Sequence, residues 1–266
     1  MDERKKKPII IRMKKYTIIS IISILVFLLI WQLLVQIGVL SQKTLPLPTK
    51  VFSTFIDKLS SKSPDGAVLQ YNIWVSLKVA TTGLLLAILI GVPLGLLMGW
   101  YKIVDRFVRP IFEIIRPIPP IAWIPLTILW IGIGMQAKAM IIFFASFIPC
   151  LINAYTGIKS TNQTLINVAK TYGASNFTIF LKIGVPSAMP IAFAGMRISL
   201  GAAWSTLVAA ELLAANAGLG FMISMGRQFG RPDIIVLGMI TIGILGFLFS
   251  YIFTKIENIV LKWRTV

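Results

Sequence analysis

The sequence predicts an all-α integral membrane protein of about six transmembrane helices, with both termini on the cytoplasmic side. Three observations predict it. Hydrophobic residues fill 57% of the 266 positions and charged ones only 13%, against about 25% charged in soluble domains. The run YTIISIISILVFLLIWQLLVQIGVL (16–40) carries no charge over more than the ~20 residues that cross a bilayer. Basic residues crowd the leading DERKKKPIIIRMKK, as they do at cytoplasmic ends of membrane proteins. The formal net charge of +17 thus fits cytoplasmic ends rich in Lys and Arg rather than nucleic acid, since no basic stretch is interleaved with aromatics as a stacking platform requires. The single Cys150 excludes an internal disulfide. The absence of histidine removes the commonest metal ligand and general base, and no metal site is expected.

In chain order, the basic segment 1–16 starts inside. The first span, 17–39, exceeds the 7–15-residue core of a signal peptide and has no small-residue cleavage site, so it reads as a retained helix. An extracytoplasmic segment, 40–76, follows. Within it PTKVFSTFIDKL sets Val51, Phe52, Phe55, Ile56 and Leu59 on one helical face, for a bilayer surface or an external partner. The core, 77–254, holds spans at 77–100, 111–133, 138–158, 188–213 and 234–254. Its inward loops are WYKIVDRFVRP (100–110) and 159–187, the latter with Lys159, Lys170 and Lys182; the tail 255–266 returns inside.

In the second span Gly91, Gly95 and Gly99 recur every four residues, a spacing that lets membrane helices approach closely, within one bundle or between copies. In RPIPPIAWIP, Pro117, Pro119, Pro120 and Pro125 each remove a backbone donor. Irregular backbone at membrane depth must be buried in protein or line a wet cavity, so this stretch is either part of a translocation pathway or a kinked helix entrance.

Enzyme chemistry finds few candidates. Glu113 and Glu211 lie near span ends, Glu257 falls in the tail, and GIKST (157–161) lacks the spacing of a phosphate loop. A secondary transporter usually keeps an intramembrane acid and repeated halves; neither is evident. Arg197 is the one cation well inside a span. It either reaches toward the inner surface and neighbouring carbonyls or lines an anion's path.

The inward loop NVAKTYGASNFTIFLKIGVP (167–186) is built differently. Leu165, Val168, Ala169 and Tyr172 follow the i, i+3, i+4, i+7 pattern of a short amphipathic helix. Gly173 supplies a left-handed end. Ser175 can cap a second helix carrying Phe177, Phe180 and Leu181, with Gly184 closing it and Pro186 forbidding continuation. The expected product is two short helices meeting at GAS.

This stretch resembles the cytoplasmic signature of the permease subunits of bacterial binding-protein-dependent ABC importers, E-A-A, three residues, G, nine residues, I-x-L-P. Here the positions read Asn167-Val168-Ala169, Gly173 and Ile183-Gly184-Val185-Pro186, with the acid replaced by Asn. The resemblance runs from about 75 to 255. RPIPPIAWIPLTILWIGIG and WSTLVAAELLAANAGLGFM are most similar to the taurine, alkanesulfonate and nitrate branch, and to taurine permeases within it.

The resemblance implies a type I ABC importer permease fold in the bacterial plasma (inner) membrane, crossing it several times. It implies a homodimer of permease subunits, two cytoplasmic ABC ATPase subunits and an extracytoplasmic substrate-binding protein. No cofactor is expected in this subunit; ATP and Mg belong to the partner ATPase, so the chain itself is not an enzyme. Asn167, Val168, Ala169, Tyr172, Gly173, Ala174, Ser175 and Pro186 are the expected ATPase-coupling residues. Arg197, Trp204, Ser205, Thr206 and Glu211 are the candidates for the translocation path or gate. Taurine or another aliphatic sulfonate is the expected cargo; nitrate, bicarbonate or a thiamine precursor are alternatives within the family, and a channel or membrane scaffold outside it.

Overall fold

Lipid offers no hydrogen-bond partners, so apolar runs of this length fold as helices that satisfy their own backbone. The computed structural model describes residues 9–213 and 216–263, with side chains from Ile18 onward. Of the basic N-terminal segment expected at 1–16, residues 1–8 lie outside the described residues, and 9–16 belong to the first helix. The helices are α1 (Ile9–Gln36), α2 (Pro48–Lys58), α3 (Leu69–Trp100), α4 (Lys102–Ile115), α5 (Ile124–Ile131), α6 (Met135–Lys159), α7 (Gln163–Thr171), α8 (Asn176–Ile179), α9 (Val185–Leu213), α10 (Leu219–Gln228) and α11 (Pro232–Val260). Among the described residues five stretches are long and apolar enough to cross a bilayer, and the bent pair of α4 with Pro120–Ile131 makes a sixth when counted as one span.

The centre of the bundle is a seam between α3 and α6. A Cβ added at Gly91 would stand 3.1 Å from Cys150 Cβ, and one at Gly95 would stand 2.9 Å from Ala154 Cβ. At Gly99 it would stand 2.9 Å from the Tyr155 carbonyl. The three glycines therefore pack within the bundle, where they let the two backbones meet. Contact positions rise together along both helices, so α3 and α6 run parallel. The chain must return between them, and α4–α5 is that return. The next contact is antiparallel, with Gly157 against Ala188 and Gly195 against Asn153 and Pro149, which sets α9 on the other side of α6. Helix α11 then runs antiparallel to α9. Val92, Leu96, Cys150, Ala154, Ala192 and Met196 fill the space among α3, α6 and α9.

Several boundaries differ from those expected. The second span begins at Leu69 rather than 77, because Asn72 and Ser76 are completely buried and mark an interior face, not a membrane edge. The inward loop 100–110 is mostly helix, since α4 starts at Lys102. The third span is this helix and its successor, bent by 87°. Pro117, Pro119 and Pro120 explain the break, and the eight residues of α5 make about 12 Å of helix, far short of a ~30 Å hydrocarbon core. Helix α11 continues to Val260, past the expected 254, because no glycine or proline interrupts it there.

Two helices show what lipid does to the usual patterning. Along α1, side chains such as Phe27 (64% exposed) and Leu29 (62%) are uncovered. Helix α2 buries Val51, Thr54 and Lys58 while Phe52, Phe55, Ile56 and Leu59 stay exposed, so most of its expected apolar face points away from the protein.

The seam makes a direct prediction. Gly95→Val should lower the thermal midpoint of the detergent-purified protein by several degrees, since overpacking costs about 1–3 kcal/mol. Gly243→Ala, with nothing within 4 Å of the new methyl, should leave the midpoint unchanged or raise it. Equal midpoints for both variants would show that the two backbones do not meet at Gly95.

Candidate functional site

At the end of the bundle where α3 and α6 finish, residues 162–184 form an elbow. Asn162 caps α7 by accepting from the Thr164 N–H at 2.8 Å. At the other end of α7, the Gly173 N–H donates to Lys170 O and the Ala174 N–H to Ala169 O at 3.0 Å, with Gly173 at φ 77°. That is the paired-bond helix stop expected of a left-handed glycine. Ser175 caps the second helix, accepting from the Thr178 N–H at 3.2 Å. Asn167, standing where the signature has an acid, accepts from Gln163 Nε2 at 3.1 Å.

The second helix does not end at Gly184 as expected. A wide turn over Phe180–Gly184 leads directly into α9, and Asn176–Leu212 is one span of 37 residues. Pro186 follows this wide turn directly, and the altered hydrogen-bond spacing there accommodates its missing N–H. Gly184 has a packing role instead: a Cβ there would come within 2.9 Å of the Trp100 ring. Trp100 Nε1 donates to Asn176 Oδ1 at 3.2 Å, and Phe180 lies between the rings of Trp100 and Tyr101, at 5.6 and 5.7 Å. Ile179 and Phe180 thus anchor the elbow to the bundle. Leu165, Val168, Tyr172 (87%), Phe177 and Leu181 remain exposed. The apolar stripe of α7 does not pack on its own chain.

The opposite end is closed by buried polar groups. Glu211, 1% exposed, accepts from Ser76 Oγ at 2.8 and 2.9 Å and from the Gly220 N–H at 2.9 Å. The Leu219 N–H donates to Ser76 Oγ at 2.9 Å, and the Gly218 N–H to Asn72 Oδ1 at 3.0 Å. Asn72 in turn donates to Asp65 Oδ2 at 2.6 Å, and the other Asp65 oxygen pairs with Lys58. Lys58, 2% exposed, also donates to the carbonyls of Ser63 at 3.0 Å and Ala67 at 2.6 Å. Beside this chain Asp233 accepts from Thr54 at 2.8 Å and from Arg231 at 2.6 Å, a bond that raises the Arg231 pKa above its ordinary value. The entrance to α10 is therefore held by side chains of α2, α3 and α9. Lys58, Asp65, Asn72 and Ser76 were not singled out from the sequence.

The other path candidates do not share one face. Trp204 donates to the Ile242 carbonyl at 3.1 Å and stacks on Phe249, which directs it into the α9–α11 contact. Ser205 is exposed and Thr206 buried, as an advance of about 100° per helical residue requires. Arg197 pairs with Glu257 in the last turns of α11. Glu257, expected in the tail, is a helical residue only 9% exposed.

Comparison with known proteins places this geometry among relatives. Residues 91–263 match the family described as the binding-protein-dependent transport system inner membrane component. The taurine transport system permease protein TauC of Escherichia coli (strain K12) is 34% identical over 92% of this chain and 90% of its own. The nitrate import permease protein NrtB of Leptolyngbya laminosa is 30% identical over 86% of this chain and 82% of its own. A solved chain from inward-facing conformations of the MetNI methionine ABC transporter superposes with a TM-score of 0.61. It is 22% identical and covers 72% of this chain and 95% of its own, a likeness of fold.

Removing one charge from the buried pair should be costly. Asp65→Asn leaves Lys58 without its counter-charge, and breaking such pairs costs about 3–5 kcal/mol. The expected result is a lower thermal midpoint together with faster proteolysis at residues 216–218, just before α10. Unchanged stability and cleavage would show that the network does not hold that segment.

Proposed function

Because the chain belongs to the family of binding-protein-dependent transport system inner membrane components and is a permease subunit of an ABC importer, we propose that its cargo is a small organic sulfonate, taurine first. The supporting observation is the likeness to TauC across 92% of the chain. Nitrate is the second reading, favoured by the likeness to NrtB. Two copies of the permease work with two cytoplasmic ATPase subunits, which bind ATP and Mg, and with an extracytoplasmic binding protein that delivers the anion.

The elbow is the part that speaks to the ATPase. Its exposed Leu165, Val168, Tyr172 and Phe177 flank the GAS turn, as an apolar knob entering a groove on a separate protein would. Phe180 binds the same elbow to α3 and α9. Motion of the ATPase pair on binding ATP then passes through α8 into α9 and exchanges inward for outward access. Inverting a 1:99 population takes about 5.5 kcal/mol of differential binding, a quantity that nucleotide binding and docking supply together.

Two measurements test this. Cells lacking their own sulfonate uptake, supplied with this permease and its cognate ATPase and binding protein, should accumulate labelled taurine, and excess nitrate should compete poorly. Preferential nitrate uptake would replace the cargo reading. Gly173→Asp should leave membrane insertion intact, since nothing of its own chain lies within 4 Å. The substitution puts a side chain at φ 77° and a charge in the docking surface, so ATPase co-purification and uptake should both be lost. Retention of both would refute coupling through the elbow.

A further inference from the structure

A cavity of about 330 Å³ opens between the first turns of α3 and α6 and the segment before α10, walled by Tyr71, Trp74, Lys78, Met135, Lys138 and Ala217. It lies apart from the elbow and beside the polar closure around Glu211. Lys138 is only 4% exposed. Its ammonium, with three donors, meets, among the described residues, the Ala217 carbonyl alone, at 3.5 Å. Among the described residues no carboxylate lies within 4 Å of either Lys138 or Lys78. Glu211 is the carboxylate whose field reaches Lys138, and its oxygens are engaged by Ser76 and the Gly220 N–H. The same wall includes the start of α6, a 25-residue helix with no side-chain cap and no acid in its first turn, so its free N–H groups add positive potential.

A buried ammonium with spare donors, a second cation at the mouth and an uncapped helix start all ask for one kind of ligand. Two indole and phenol faces, Trp74 and Tyr71, line the mouth and suit the carbon part of an amphiphilic anion. We propose that this cavity binds a tetrahedral oxyanion group, sulfonate or phosphate, between Lys138 and Lys78. Two sources carry that group: a free sulfonate released at this end of the permease, or the phosphate of a lipid headgroup. Only the first source rests on the cargo reading above.

The test uses the full-length permease in phosphatidylcholine nanodiscs, titrated with methanesulfonate and followed by saturation transfer to its methyl protons. Transfer should appear, be displaced by inorganic phosphate, and weaken in Lys78→Met, with the dissociation constant rising about tenfold for one lost charge-assisted bond. Lys138→Met should act in the same direction. Lys78 is exposed, so its variant keeps the test decisive if the buried substitution unfolds the protein. Native mass spectrometry after exchange into phosphatidylglycerol nanodiscs forms the second arm. Silence with methanesulfonate, combined with phosphatidylglycerol retention that falls in Lys78→Met, would assign the site to lipid phosphate. Absence of both signals, or signals indifferent to both lysines, would overturn the site. Neither arm involves uptake, so a permease found to import another anion would still register binding here.

Discussion

Backbone contact between α3 and α6 is the constraint on which the rest of the bundle depends. Lipid tails are as apolar as leucine, so no hydrophobic force drives one membrane helix against another. Close van der Waals packing must replace it. Gly91, Gly95 and Gly99 allow that packing on successive turns, and the parallel direction of the two helices obliges α4–α5 to carry the chain back. The awkward, proline-broken third span is the consequence of that obligation. The seam also extends to both ends. Beyond Gly99, Trp100 meets Phe180 and Gly184; toward the start of α3, Ser76 and Asn72 reach the entrance to α10.

Much of this was legible in the sequence, and the illegible parts have physical reasons. Glycine spacing announced a packed face but could not say against what. Asn72 and Ser76 continue that face at helical spacing, a signal hidden because polar residues near a span end usually read as its edge. Amphipathic α2 was recognisable as a helix whose apolar side meets the bilayer or an external partner, and most of that side does face outward. What the pattern did not show is that Thr54 and Lys58 are buried with Val51, because their partners Asp233 and Asp65 lie elsewhere in the chain. Gly184 and Pro186 look like stop signals because a glycine before a proline commonly ends a helix. The extra residue accommodated over Phe180–Gly184 absorbs both. At the GAS turn the local rules sufficed, since Gly173 and Ser175 act through bonds to residues three to five positions away.

The two ends of the bundle differ in how they treat unsatisfied surface. One leaves apolar side chains uncovered on α7 and α8 while satisfying the backbone through caps. The other gathers charged and polar side chains from α2, α3 and α9 around a short loop and satisfies nearly all of them. An end that presents apolar groups suits repeated docking of a protein. A polar closure suits a passage that must be shut when idle and opened by exchanging hydrogen bonds, and it sets a cost on opening that a random loop would not.

Continuity from Asn176 to Leu212 has a mechanical meaning. Thirty-seven residues in one span make a rod about 55 Å long at 1.5 Å per residue. Its middle is pinned near Gly195, where α6 presses against it, with Phe180 toward one tip and Glu211 near the other. Rocking such a see-saw by about 10° would carry each tip about 5 Å, nearly one helical pitch. A displacement of that size would exceed the 2.8 Å that separates Ser76 Oγ from Glu211, enough to part the two.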